Sequence, residues 1–155
     1  MHALKNELYH ELTQNILPFW LHKMVDNRHG GYLGRIDGRG HIVPDAEKGA
    51  VLNARILWAF SSAYRVLNKA EYLEAATRAK DYFITHFIDK QHGGVFWSLD
   101  AQGQPLDTKK QTYAMGFAIY GLSEYARATG SDEALQYAKA LYNDIESHAF
   151  DKQNN

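Results

Sequence analysis

The 155 residues contain no cysteine. Disulfides and thiolate metal sites are therefore excluded, and the composition fits a reducing, cytoplasmic setting. No charge of one sign dominates: Lys+Arg 17 stand against Asp+Glu 18. That leaves no electrostatic footprint for nucleic acid or for an anionic membrane surface. No apolar run reaches the length of a bilayer span, and the opening "MHALKNELYHELTQ" lacks the basic-then-apolar order of a signal peptide. None of the eight histidines stands in HExxH or HxxxH spacing, which argues against a zinc site. The glycine-rich "GGYLGRIDGRG" lacks G-x-G-x-x-G.

What the chain does have is a repeat. "VDNRHGG" at 25–31 returns as "IDKQHGG" at 88–94, and the last residues, "FDKQNN", begin the phrase again. Asp26, Asp89 and Asp151 open the three copies, 63 and then 62 residues apart. His29/His92, Gly30/Gly93, Gly31/Gly94, Asp37/Asp100 and Gly40/Gly103 coincide at an offset of 63. After a one-residue gap Lys48/Lys110, Trp58/Tyr120, Ser61/Ser123 and Arg65/Arg127 coincide at 62. A period this long describes an array whose units need neighbours to bury their faces.

Each unit begins with a Gly-rich hairpin signal, near 31–43 and 94–106. A helix follows, about 47–66 and about 110–128, and then a second, about 70–87 and about 132–149. The second helices carry one apolar stripe each: Tyr72, Ala76, Ala79, Phe83, Phe87, and Ala134, Ala138, Leu141, Ile145, Ala149. The first helices, "GAVLNARILWAFSSAY" and "YAMGFAIYGLSEYA", are apolar nearly all round and should be enclosed. Residues 3–24 form a further amphipathic segment, bent or broken near Pro18. Enclosed helices inside amphipathic ones, with hairpins at one rim, describe an all-α toroid of helix pairs; a plain helical solenoid is the alternative.

Arg55 is the polar anomaly of the first inner helix, flanked by Ala54, Ile56, Leu57 and Trp58. An arginine remains charged and needs an anionic or acceptor partner when buried. Under the offset of 62 it corresponds to Phe117, and Tyr113 lies one helical turn before Phe117 on the same face. If that face lines the hole, Arg55 and Tyr113 converge on one cavity. The structural alternative for Arg55 is a salt bridge to Glu47 or Asp45; for Tyr113 it is core packing. His29 and His92 belong to the hairpin repeat, where His before Gly-Gly reads as turn chemistry. Glu124 lies about three turns deeper than Tyr113, too remote to pair with rim chemistry, and reads as a solvated or salt-bridged end. That weakens a glycoside-hydrolase reading, which needs two facing carboxylates.

The segments "ILPFWLHKMVDNRHGGYLGRID", "NARILWAFSSAYR", "GGVFWSLDAQGQPLDTKKQTYAMGFAIYGLSEYARATG" and "DIESHAFD" resemble the N-terminal part of the cellobiose 2-epimerases of the N-acylglucosamine 2-epimerase superfamily. The resemblance covers essentially the whole chain. It implies a barrel of six helix pairs, (α/α)6, of which residues 1–155 would be about two and a half repeats of a single domain. It implies inversion at C2 of the reducing-end sugar of a β-1,4-linked disaccharide, without nicotinamide or metal. Two histidines would act as acid and base, the arginine of "R-I-L-W" would steady the enediolate, and the tyrosine of "K-x-T-Y" would contact the sugar. Those last two match Arg55 and Tyr113. The histidines of the resemblance lie in later pairs, so this chain alone is expected to be inactive, a truncated product whose uncovered Tyr120, Leu122, Leu141 and Tyr142 favour self-association. A non-catalytic helical module and an aldose–ketose isomerase remain alternatives.

Overall fold

The structure is a computed structural model that describes residues 2–151, 153 and 154. Helices α1 (His2–Glu11), α2 (Ala50–Leu67), α3 (Ala70–Tyr82), α4 (Thr112–Thr129) and α5 (Asp132–His148) dominate it. The strands are short: β1 (Lys48–Gly49), β2 (Ser98–Leu99) and β3 (Pro105–Asp107), in one antiparallel sheet of that order. The mainly helical reading holds, and the helix limits fall within a few residues of those expected.

The N-terminal segment is helical through Pro18 rather than broken there. Two wide π-type turns, Leu12–Ile16 and Phe19–Lys23, flank the proline and absorb its missing N–H. A third π-type turn, Phe83–Phe87, prolongs α3. Helix α2 stops at Asn68, which takes the left-handed conformation (φ 52°) and donates its N–H to Tyr64 O at 2.8 Å. Ser131 caps α5 by accepting from the Ala134 N–H.

Packing follows the pattern of apolar residues. Helix α2 lies against α4, α3 backs α2, and α5 backs α4. The stripe of α3 is buried throughout. That of α5 is buried at Ala134, Ala138 and Leu141, half-buried at Ile145 and exposed at Ala149. At the α2–α4 crossing a Cβ on Gly121 would stand 2.6 Å from Ala54 O, so only glycine permits the observed approach. The hairpin of the second unit pairs with the start of the first inner helix, since β2 joins β1. The first hairpin is reduced to single bridges, Val25–Tyr32 and Ile36–Ile42.

One expectation is corrected. Leu122 and Leu141 are not left uncovered: they are 0% and 2% exposed, because α4 turns Leu122 into the core and α5 turns Leu141 onto α4. Tyr120 and Tyr142 are exposed, as are Leu4, Leu8 and Val66. The exposed large apolar side chains thus lie mostly on the N-terminal segment, at Leu4, Leu8, Tyr9, Leu12 and Ile16, with Tyr113 and Tyr120 on α4 and Val66 on α2.

Candidate active site: a cleft lined by the inner helices

Each repeat phrase folds as a turn held by its aspartate. Asp26 Oδ1 accepts the N–H groups of Arg28 and His29 at 2.9 Å, and Asp89 Oδ1 those of Gln91 and His92 at 3.0 Å. Asp151 repeats the arrangement with Gln153 and Asn154. The second oxygen of each of the first two carboxylates takes a lysine from the start of the following inner helix. Lys48 Nζ lies 2.7 Å from Asp26 Oδ2, and Lys110 Nζ 2.8 Å from Asp89 Oδ2. Lys48 also donates to Gly30 O at 2.8 Å and lies over the Tyr82 ring. Burial pushes the Asp26 carboxyl up, but the Lys48 bond and the two turn N–H groups outweigh it and hold it below its ordinary value. The Lys110 hydrogen bond leads in holding Asp89 well below the usual carboxylate range. The repeat alone shows these aspartates and lysines as coinciding positions and does not join them; their recurrence in both units is the signal that the sequence carries.

These anchors hold the starts of α2 and α4, and those helices carry the two candidate site residues, Arg55 and Tyr113. A cleft of about 1820 Å³ opens beside them. Arg55 and Tyr113 both line it, as do Trp58, Phe117 and Tyr120. Arg55 is exposed and makes no salt bridge among the described residues. Of its two candidate partners, Glu47 instead accepts from Ser98 Oγ at 3.0 Å. Tyr113 is 62% exposed, so it is not core, and its ring meets Phe117 edge-on at 5.0 Å. Trp58 and Tyr120 stack at 4.9 Å with planes 11° apart. The wall therefore presents one guanidinium and several aromatic faces, a surface suited to a neutral polyol with a developing negative charge.

Other polar residues stand apart from the cleft. His29 and His92 are in the turns, as their repeat position implies, and neither lines it. Glu124 is a buried, salt-bridged helix end rather than a solvated one: Arg65 Nε lies 2.7 Å from its Oε1. No group of three His, Asp or Glu side chains able to hold a metal occurs among the described residues. No helix among them is long and apolar enough to cross a membrane.

Inner helices flanking a cleft, each backed by an amphipathic partner and started by a hairpin turn, define part of an (α/α)6 barrel. Residues 31–155 match the family model for N-acylglucosamine 2-epimerase, and the chain belongs to that family. It is 62% identical over 148 residues to a cellobiose 2-epimerase of Bacteroides fragilis, a match that covers 96% of this chain. The structure of cellobiose 2-epimerase from Bacillus thermoamylovorans superposes with a TM-score of 0.97 at 44% identity over the whole chain. A D-mannose isomerase superposes with a TM-score of 0.80 at 26% identity over 90% of it. The chain spans 38% of the length of the Bacteroides relative and 40% of the Bacillus one, matching their N-terminal portion.

Proposed function

We propose that this chain forms one wall of the pocket of a cytoplasmic sugar 2-epimerase acting in carbohydrate metabolism on a disaccharide such as cellobiose. Residues 1–155 are then the N-terminal part of a single barrel domain, about two and a half repeats. The observation that carries the reading is that Arg55 and Tyr113 line one aromatic-rich cleft, with no carboxylate in a salt bridge to the guanidinium among the described residues.

In the proposed chemistry the ring-opened sugar presents its C1 carbonyl to Arg55. A base takes the C2 proton, and the electron pair moves onto the carbonyl oxygen. The guanidinium stabilises that charge where water is scarce. Return of a proton to the opposite face of C2 completes the inversion with no net redox change. Tyr113 contacts the sugar at the rim. The acid and base are histidines outside these 155 residues, and no metal or nicotinamide is required. Loss of the proton at C2 is shared with aldose–ketose isomerisation, and the likeness to a D-mannose isomerase supports that as the second reading.

The test is turnover of cellobiose, resolved into epimer and ketose products. The 155-residue chain alone should give none. In a longer protein that contains this chain, Arg55→Ala should lower kcat by about 10²–10³, the usual loss for an oxyanion donor. Near-normal turnover in that variant would assign Arg55 to structure.

A further inference from the structure

Helices α2 and α4 run side by side in the same direction: Trp58 meets Tyr120, and further along Arg65 meets Glu124. Residues equivalent under the offset of 62 therefore stand at one level of the cleft. From the rim inward the first level is Arg55 beside Phe117. Three residues on, about 4.5 Å deeper, is Trp58 beside Tyr120. The third level is charged and begins at Glu124, seven residues and about 10 Å below Phe117. There Glu124 takes Arg65 Nε at 2.7 Å and Arg127 Nη1 at 3.8 Å. Arg127 has 67% of its side chain exposed, so this level is solvated.

The aromatic level between them is not the cement of the helix crossing. Small residues close that crossing: Ala114, Ala118 and Gly121 are buried, and Gly121 lies directly against Ala54 and Leu57. Tyr120, by contrast, is 46% exposed and Trp58 half-buried, and both line the cleft. The two rings stand out into the hole beyond the helix contact. They lie face to face, so nothing inserts between them, but a ligand can rest on them. The stack is also braced. Tyr120 meets Phe117 edge-on at 6.4 Å, and Phe117 meets Tyr113 edge-on, so a continuous chain of rings runs from Trp58 on α2 to Tyr113 at the rim of α4.

We propose that the Trp58–Tyr120 stack is a floor under the reacting end of the sugar, a positioning pair that stops C1 and C2 at the level of Arg55. This rests on the epimerase reading above and adds what decides the product. The enediolate can take its proton back at either of two carbons. Return to C2 gives the epimer; return to C1, with the carbonyl re-forming at C2, gives the ketose. Neither path has a net redox change. A flat, braced surface below the C1–C2 end fixes which carbon stands in line for the proton. It also separates the guanidinium from the solvated charges of the third level, and a water-poor chamber is where that guanidinium is most effective. The pair acts through ring faces packed against C–H groups of the sugar, and the Tyr120 hydroxyl takes no part.

The test uses a longer protein that contains this chain, with cellobiose turnover resolved into epimer and ketose. Trp58→Ala and Tyr120→Ala should lower kcat by about 10- to 100-fold, the cost of misplacing a reacting group by about an ångström. KM should move by less than about threefold, because the floor acts on the reacting end rather than on overall binding. In both variants the ketose share of the product should rise. Trp58→Leu keeps apolar volume without a flat face, and should show the same rise at a near-native melting temperature. Trp58→Phe and Tyr120→Phe keep the ring face and should hold kcat and product ratio within about twofold. A purely structural role would lower the melting temperature and the amount of active protein but not the product ratio. An unchanged ratio in the alanine and leucine variants, or a Tyr120→Phe defect as large as that of Tyr120→Ala, would overturn the floor while leaving the epimerase reading in place. An unsubstituted protein that forms neither epimer nor ketose would overturn the epimerase reading, and the floor with it.

Discussion

Lys48→Met and Lys110→Met remove the same repeat-equivalent ion pair from two environments. Lys48 has 1% of its side chain exposed and its partner Asp26 6%. Methionine at 48 keeps the volume but leaves a buried carboxylate with only the two turn N–H donors. Breaking a buried pair from one side costs about 3–5 kcal/mol. Lys110 makes a bond of nearly equal length, 2.8 Å, but 30% of its side chain is exposed. Water can replace it, and the expected cost is about 1 kcal/mol or less. With a urea m-value of about 2 kcal/mol/M, the midpoint should fall by about 2 M for Lys48→Met and about 0.5 M or less for Lys110→Met, at unchanged slope. Adding Asp26→Asn to Lys48→Met should recover part of the loss, because the stranded charge is gone. Equal losses for the two single variants would refute the reasoning, since Lys48 differs from Lys110 both in its burial and in its further bond to Gly30 O.

The same pairs set a pH dependence. Both carboxyls lie below their ordinary value, so their stabilisation is complete above the unfolded carboxylate pKa of about 3.9 and lost as pH falls through the folded one. The gap in urea midpoint between the unsubstituted chain and Lys48→Met should therefore narrow from about pH 5 toward pH 3; a gap independent of pH would remove Asp26 from the account. Gly31 has φ +64°, and a Cβ there would stand 2.7 Å from the Tyr82 ring. Gly31→Ala should cost roughly 3 kcal/mol against about 1 kcal/mol for Gly40→Ala, where φ is also positive but the space is open; thermal melts distinguish them. Exposed Leu4, Leu8 and Val66 predict concentration-dependent self-association of the isolated chain, and a strictly monomeric sedimentation profile at high concentration would contradict it.

Much of this architecture was legible in the sequence because it is periodic. Every second-helix position named from the stripes in α3 is buried, since one apolar face per helix leaves one way to pack. Arg55 stood out because a permanent charge in "NARILWAF" has few structural uses, and the offset of 62 placed Tyr113 on the matching face. The histidines could be assigned to turns because their neighbours repeated with them. The pairing of Asp26 with Lys48 across 22 residues was not legible: a repeat shows that two positions recur, not that they touch. The burial of Leu122 also depended on how far α4 rotates about its axis, which an apolar-all-round helix does not fix, whereas Leu141 already lay in the α5 stripe. Composition, period and amphipathic face are properties of local sequence and survive without coordinates. Which flank of α2 is covered by α4 and which stays open beside segment 2–23 is a matter of how whole helices are arranged in space, and no stretch of sequence carries it, because the two flanks have the same apolar chemistry and differ only in what lies next to them.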